Sequence, residues 1–157
     1  MKKLARLIPS LCVWAILSIV FWEWIFTTFA LDAPAAKKLC VAIDAPVTNA
    51  TELAVQIEEI LPDGFRMAKV YSFDYAMMDT SSITNADILI IPESAAESYA
   101  ELISPEYEPL PLEGVAGEYI GYDSSESYYL YFGINSLHTG ENDTAAFDAA
   151  EFILNIK

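Results

Sequence analysis

Residues 11–31 read LCVWAILSIVFWEWIFTTFAL, 21 consecutive positions with a single charged group, Glu23. A helix rises about 1.5 Å per residue, so this stretch covers roughly 30 Å, the thickness of bilayer hydrocarbon. It predicts a transmembrane helix, and whatever follows is delivered to one side of a membrane. Residues 1–32 are therefore read as a cytoplasmic stub and anchor, and residues 33–157 as one extracytoplasmic domain. Lys2, Lys3 and Arg6 precede the apolar run and Asp32 follows it, and basic flanks stay cytoplasmic. A cleaved signal sequence is the competing reading, with cut sites after Ala30 or Ala35 and a secreted product. Against it, the run exceeds the roughly 7–15 apolar residues of a signal core. Trp14, Phe21, Trp22, Trp24, Phe26 and Phe29 also crowd toward its outer end, as aromatic side chains do at a membrane–water boundary. Glu23 either contacts a membrane partner, because intramembrane carboxylates are costly and paired, or sits near the outer interface and reaches water.

Beyond the anchor, residues 33–157 hold five basic against 21 acidic groups, a net of −16. Such a surface repels nucleic acid and anionic headgroups and is compatible with cations, sugars or a basic partner. Two cysteines are present, Cys12 in the apolar run and Cys40 in the domain. They lie in different phases and cannot pair within one chain, so the domain rests on its core without a disulfide staple. Neither follows a small-residue lipidation signal.

Three apolar runs punctuate the domain. LCVAI (39–43) and DILII (87–91) read as strands buried on both faces, and YYLYFGI (128–134) as a third strong strand. Alternation over 66–73 gives a further strand nearer an edge. Asn49 with Glu52 opens an amphipathic helix carrying Leu53, Ile57, Ile60 and Leu61 on one face. Ser94 with Glu97 repeats the capping signature for a helix to about Leu102. A closing helix over 144–156 aligns Ala146, Phe147, Ala150, Ile153 and Leu154. A short helical turn is expected over 74–83, a loop over 103–113 because of Pro105, Pro109 and Pro111, and a short strand over 118–122. The alternation predicts an α/β fold: an N-terminal transmembrane helix, then a mostly parallel sheet of four to five strands with helices on both faces. The first strand lies between the second and third, in a flavodoxin-like or solute-binding-lobe-like order.

The segments CVAIDAP (40–46), ADILIIPES (86–94) and YYLYFGINSLHTG (128–140) resemble one lobe of a type II extracellular solute-binding protein, the receptor half of ABC importers. The closer resemblance is to small membrane-anchored proteins that keep such a lobe alone. It implies a non-enzymatic, solute-binding-like accessory of an ABC-type transporter, with a transporter subunit or another membrane protein as partner and a small molecule as ligand. The alternative is a structural or assembly protein that docks a membrane partner through its domain and its helix. No nucleic-acid partner and no cofactor are expected.

In open parallel sheets ligands sit beyond the carboxyl ends of the strands. On that rule Asp44, Asp74, Glu93, Ser94, Asn135, Ser136 and His138 share one rim. Three carboxylates there suit a cation or a polyol, the amides after Pro92 suit an anion, and an ordinary solvated rim with helix caps remains the plain reading. His138 is the single histidine and is expected on the surface. Tyr119, Tyr122, Tyr128, Tyr129 and Tyr131 are read either as sheet core or as stacking platforms for sugar rings. No nucleophile elbow, CxxC, HExxH, P-loop, GxGxxG or EF-hand pattern occurs. No residue is assigned a catalytic or metal-binding role.

Overall fold

The computed structural model describes residues 2–25, 33–73, 83–112, 118–123, 125–140 and 143–156. It divides into two units, Met1–Ala33 and Pro34–Lys157. The first holds α1 (Lys2–Ile25). The second contains β1 (Lys38–Ile43), α2 (Ala50–Ile60), β2 (Met67–Ser72), β3 (Ile88–Pro92), β4 (Leu110–Leu112), β5 (Tyr128–Phe132) and α3 (Ala145–Asn155), with 3-10 helices at Ala35–Lys37 and Glu93–Leu102.

Helix α1 starts earlier than the apolar run suggests, and Pro9, which precedes that run, lies within it. Val13, Trp14, Ile16, Leu17, Ile19, Val20, Phe21 and Trp22 each keep more than half of their surface exposed. At 100° per residue these eight positions fall on every side of the helix. Ser18, in the middle of this stretch, turns its hydroxyl back onto the Trp14 carbonyl at 2.8 Å. Over the described residues no helix is long and apolar enough to cross a membrane. The expected span runs beyond Ile25 into residues 26–31, which lie outside the described residues.

In the α/β unit the sheet order is β2-β1-β3-β5-β4. β1 lies between β2 and β3 and pairs parallel with both, as the sequence predicts. β5 pairs antiparallel with both β3 and β4. The sheet is therefore mixed, not mostly parallel. The reversal has a simple cause: the 3-10 helix carries the chain back along one face to the amino end of β3, where Ser104 N–H donates to Phe132 O, but the strand it feeds is the short edge strand β4, and β5 follows as the antiparallel neighbour of β4. The chain thus enters β5 from the carboxyl end of β3, where Tyr128 faces Pro92. β4 falls inside the expected loop 103–113. Pro111 is accommodated because β4 pairs only with β5, leaving a free edge that needs no donor. The strand expected over 118–122 is a single bridge, Ile120 to Val47, with Thr48 N–H donating to Tyr119 O and Gly121 N–H to Pro46 O. The turn expected over 74–83 falls on residues 74–82, outside the described residues.

Period-two alternation divides the core between two faces. Leu39, Val41, Ile43, Ile88, Ile90, Leu130 and Phe132 point to one, where Leu53 and Ile57 of α2 and Ala146, Ala149, Ala150 and Ile153 of α3 cover them. Cys40, Ala42, Leu89, Ile91 and Tyr131 point to the other, beneath Ala95, Ala96, Tyr99 and Leu102 of the 3-10 helix. Neither expected capping side chain forms its cap. Asn49 adopts the left-handed conformation (φ 56°) and makes no side-chain cap bond, and Ser94 donates to Glu126 Oε2 at 3.0 Å instead.

Candidate functional site

Because β5 runs against β1 and β3, the loop that follows it opens at the amino ends of those strands. The expected single rim is thus divided in two. Asp44 follows β1 at the carboxyl end, where its N–H donates to Ile90 O at 2.8 Å. Glu93 and Ser94 follow β3 at that same end, both exposed, with Glu93 N–H donating to Ser127 O at 2.8 Å. Asp74 lies outside the described residues. Asn135, Ser136 and His138 sit at the opposite end, beyond Phe132, whose partner is Ile88. The length of β3, roughly 13 Å at 3.3 Å per step, separates the two groups.

At the amino end the sequence builds a closed polar knot that the reading above does not foresee. Asp87 opens the apolar run of β3 yet is 4% exposed. Its Oδ2 accepts the Cys40 N–H at 2.8 Å and its Oδ1 accepts the Ser136 hydroxyl at 2.7 Å. Ser136 Oγ in turn accepts the His138 N–H at 3.1 Å. Burial pushes the Asp87 carboxyl above its ordinary value of 3.8; the donors from Cys40, Ser136 and Leu137 and the charge of His138 pull against that. Gly133 makes the approach possible. Its N–H donates to Asp87 O at 2.9 Å, and a side chain at this position would collide with the Ala86 carbonyl.

His138 is a core residue, 1% exposed, not a surface one. Its Nδ1 lies 2.7 Å from Asp143 Oδ2, and its Nε2 lies 3.2 Å from both Ala35 O and Lys38 O. The carbonyls and the carboxylate are acceptors, an arrangement that suits a ring with a proton on each nitrogen. Burial alone would lower its pKa. The Asp143 hydrogen bond, the Asp87 charge and the Ala35 carbonyl outweigh burial and raise it above 6.5. Phe65 packs on the ring edge-on, centroids 4.7 Å apart. A serine, a histidine and two aspartates are gathered here, but not as a nucleophilic triad. The imidazole turns away from Ser136 Oγ toward backbone carbonyls, and the serine gives its proton to Asp87, so nothing activates it for attack. The knot ties the start of the domain to the β5–α3 connection. Among the described residues no group of three or more His, Cys, Asp or Glu is placed to hold a metal ion.

A second feature lies where β5 runs on past the end of β4. Tyr107, Phe132 and Phe147 meet pairwise with centroids 4.8–5.3 Å apart and planes 52–74° apart. They wall an open cleft of about 560 Å³ that also takes in Leu154, Glu108 and Glu151. Phe147, Ala150, Glu151 and Leu154 recur at the three- and four-residue spacing of one α3 stripe. The sequence places Phe147, Ala150 and Leu154 on one stripe but does not reveal the gap beside it, since Tyr107 and Glu108 come from the proline-broken segment. On α1, Ser18, Ile19, Trp22 and Glu23 line a shallow surface groove.

No protein-family model, no curated protein and no solved structure matches the chain.

Proposed function

We propose that this protein is a membrane-anchored recognition module: α1 sits in the bilayer with its basic end cytoplasmic, and the α/β unit, held outside, captures a small solute without transforming it, as an accessory of an ABC-type transporter. The observation that carries the anchoring is the ring of eight exposed large hydrophobics on every side of α1. A helix apolar all round belongs in a membrane or a protein core, and at about 25 cal/mol per Å² the cost of leaving that much apolar surface in water is many kcal/mol. Capture without chemistry is supported by the Ser136–His138 geometry, which leaves the hydroxyl unactivated, and by the walled cleft beside α3. Alkaline carbonate extraction of native membranes tests the anchoring. The wild-type chain stays in the pellet, and Leu17→Asp with Val20→Asp moves it to the supernatant.

An assembly role is the second reading, favoured by the α1 groove in which Glu23 stands beside Ser18 and Trp22. Carboxylates at membrane depth are costly and face protein or water in preference to lipid, so this side of α1 suits a protein contact. In that case a membrane protein co-purifies with the wild-type chain and is lost with Glu23→Leu.

A further inference from the structure

We infer that the β5–α3 connection is a second membrane contact: Ile134 and Leu137 enter the headgroup boundary of the bilayer that holds the anchor. The inference rests on the anchoring reading above and adds a lipid-facing surface on the α/β unit itself.

The connection is built inside out. A loop that meets only water turns its polar side chains outward. Here they turn inward. Asn135 Nδ2 donates to Thr84 O at 2.9 Å, the Ser136 hydroxyl donates to Asp87 Oδ1 at 2.7 Å, and His138 is buried. The apolar pair is left outside, with Ile134 50% and Leu137 60% exposed. The backbone is fixed as well, since Ile134 N–H donates to Leu102 O at 2.8 Å and Ser136 N–H to Gly133 O at 3.2 Å. Two large aliphatic side chains are thus held out by a pre-formed loop, which loses little freedom when they are covered.

The covalent chain says what covers them. His138, next to Leu137, has its Nε2 3.2 Å from both Ala35 O and Lys38 O. Ala35 stands four positions after Leu31, where the 21-residue apolar run ends. Four residues reach at most about 14 Å. The loop is therefore tied to a backbone segment that cannot leave the membrane surface, and lipid is the apolar phase always within its reach.

Charge agrees. Residues 33–157 hold five basic side chains against 21 acidic ones. Lys37 and Lys38 lie at the start of β1, Arg66 just before β2 with its N–H on Lys37 O at 2.9 Å, and Lys69 opposite Cys40 in the first half of β2. These four share the amino end of the parallel strands with the Ile134–Leu137 loop, and the fifth, Lys157, lies outside the described residues. Glu59 in the last turn of α2 and Asp63 beyond it are also at this end. The cations therefore offset part of the repulsion between an acidic unit and a headgroup layer, and the attraction itself falls to the apolar pair.

Spin-label accessibility in the full chain tests the contact. The Cys12→Ser chain is reconstituted in phosphatidylcholine vesicles with a nitroxide attached through Ile134→Cys, Leu137→Cys or Val55→Cys; Val55 is an exposed apolar residue on the outer side of α2. The Cys12→Ser chain alone reports any labelling of buried Cys40. The ratio of oxygen to water-soluble nickel collisions is expected to be several-fold higher at 134 and 137 than at 55. A ratio equal to that at 55 would overturn the contact. An immobilised label shielded from both reagents would mean that protein, a second copy or another chain, covers the loop, and would overturn lipid as the occupant. Either result leaves the anchoring reading standing, whereas a chain that fails to float with the vesicles would overturn that reading and this inference with it.

Discussion

His138 Nδ1 and Asp143 Oδ2 meet at 2.7 Å on the inner side of the β5–α3 connection, with the far nitrogen of the ring facing two carbonyls from the opposite end of the unit's sequence. Acceptors face both ring nitrogens, an arrangement that favours the doubly protonated ring, and stability should therefore depend on pH. A histidine whose folded pKa is raised contributes fully below its unfolded value of 6.5, and that contribution is lost as pH rises through the folded value. Thermal unfolding of the full chain in detergent, followed from about pH 6 to 9, is expected to show a melting temperature falling with pH, and His138→Gln should flatten the slope. Asp87, also raised, bends the curve the same way from 3.8 upward.

Ser136→Ala removes one of the donors that hold the buried Asp87 carboxylate. Leaving a buried acceptor short of a partner costs about 1–3 kcal/mol. Urea unfolding should show a lower midpoint with an unchanged slope.

Much of the sheet can be read from sequence, and its one reversal cannot. LCVAI and DILII are apolar on both faces, and only a doubly covered strand tolerates that. YYLYF is as clearly a strand, but its residues are buried on both sides whichever way it runs, so nothing in them records direction. That single ambiguity moved Asn135, Ser136 and His138 to the other end of the sheet. The burial of His138 and the role of Asp87 escape the sequence for a different reason. A buried charge depends on partners distant in sequence, here Asp143, Ala35 and Lys38 for one and Cys40 and Ser136 for the other, and no local pattern encodes them. The 3-10 form of Glu93–Leu102 likewise escapes a helical pattern that fixes the face and not the pitch.

Gly133 and Gly140 separate packing from loop entropy. A side chain at Gly133 meets the backbone carbonyl of Ala86, whereas nothing lies within 4 Å of one at Gly140. Gly133→Ala should destabilise by about 3 kcal/mol or prevent folding, in line with overpacking against an immobile group. Gly140→Ala should stay within about 0.5 kcal/mol. Chemical denaturation of the two variants side by side measures the difference.

The facing of α2 gives a matched pair. Leu53 is fully buried against the sheet and Val55, two positions on, is 48% exposed. Leu53→Ala should cost about 2–5 kcal/mol, and Val55→Ala about 0.5 kcal/mol or less. Comparable losses at both positions would mean that another surface covers the outer side of α2.

Protease treatment of sealed, right-side-out vesicles carrying the full-length chain tests the central claim most directly. Membrane anchoring through α1 with an exported α/β unit predicts that residues 34–157 are degraded from outside while an α1-containing fragment survives in the bilayer. Full protection of residues 34–157 until the vesicles are lysed, or release of the intact chain by washing, would contradict it.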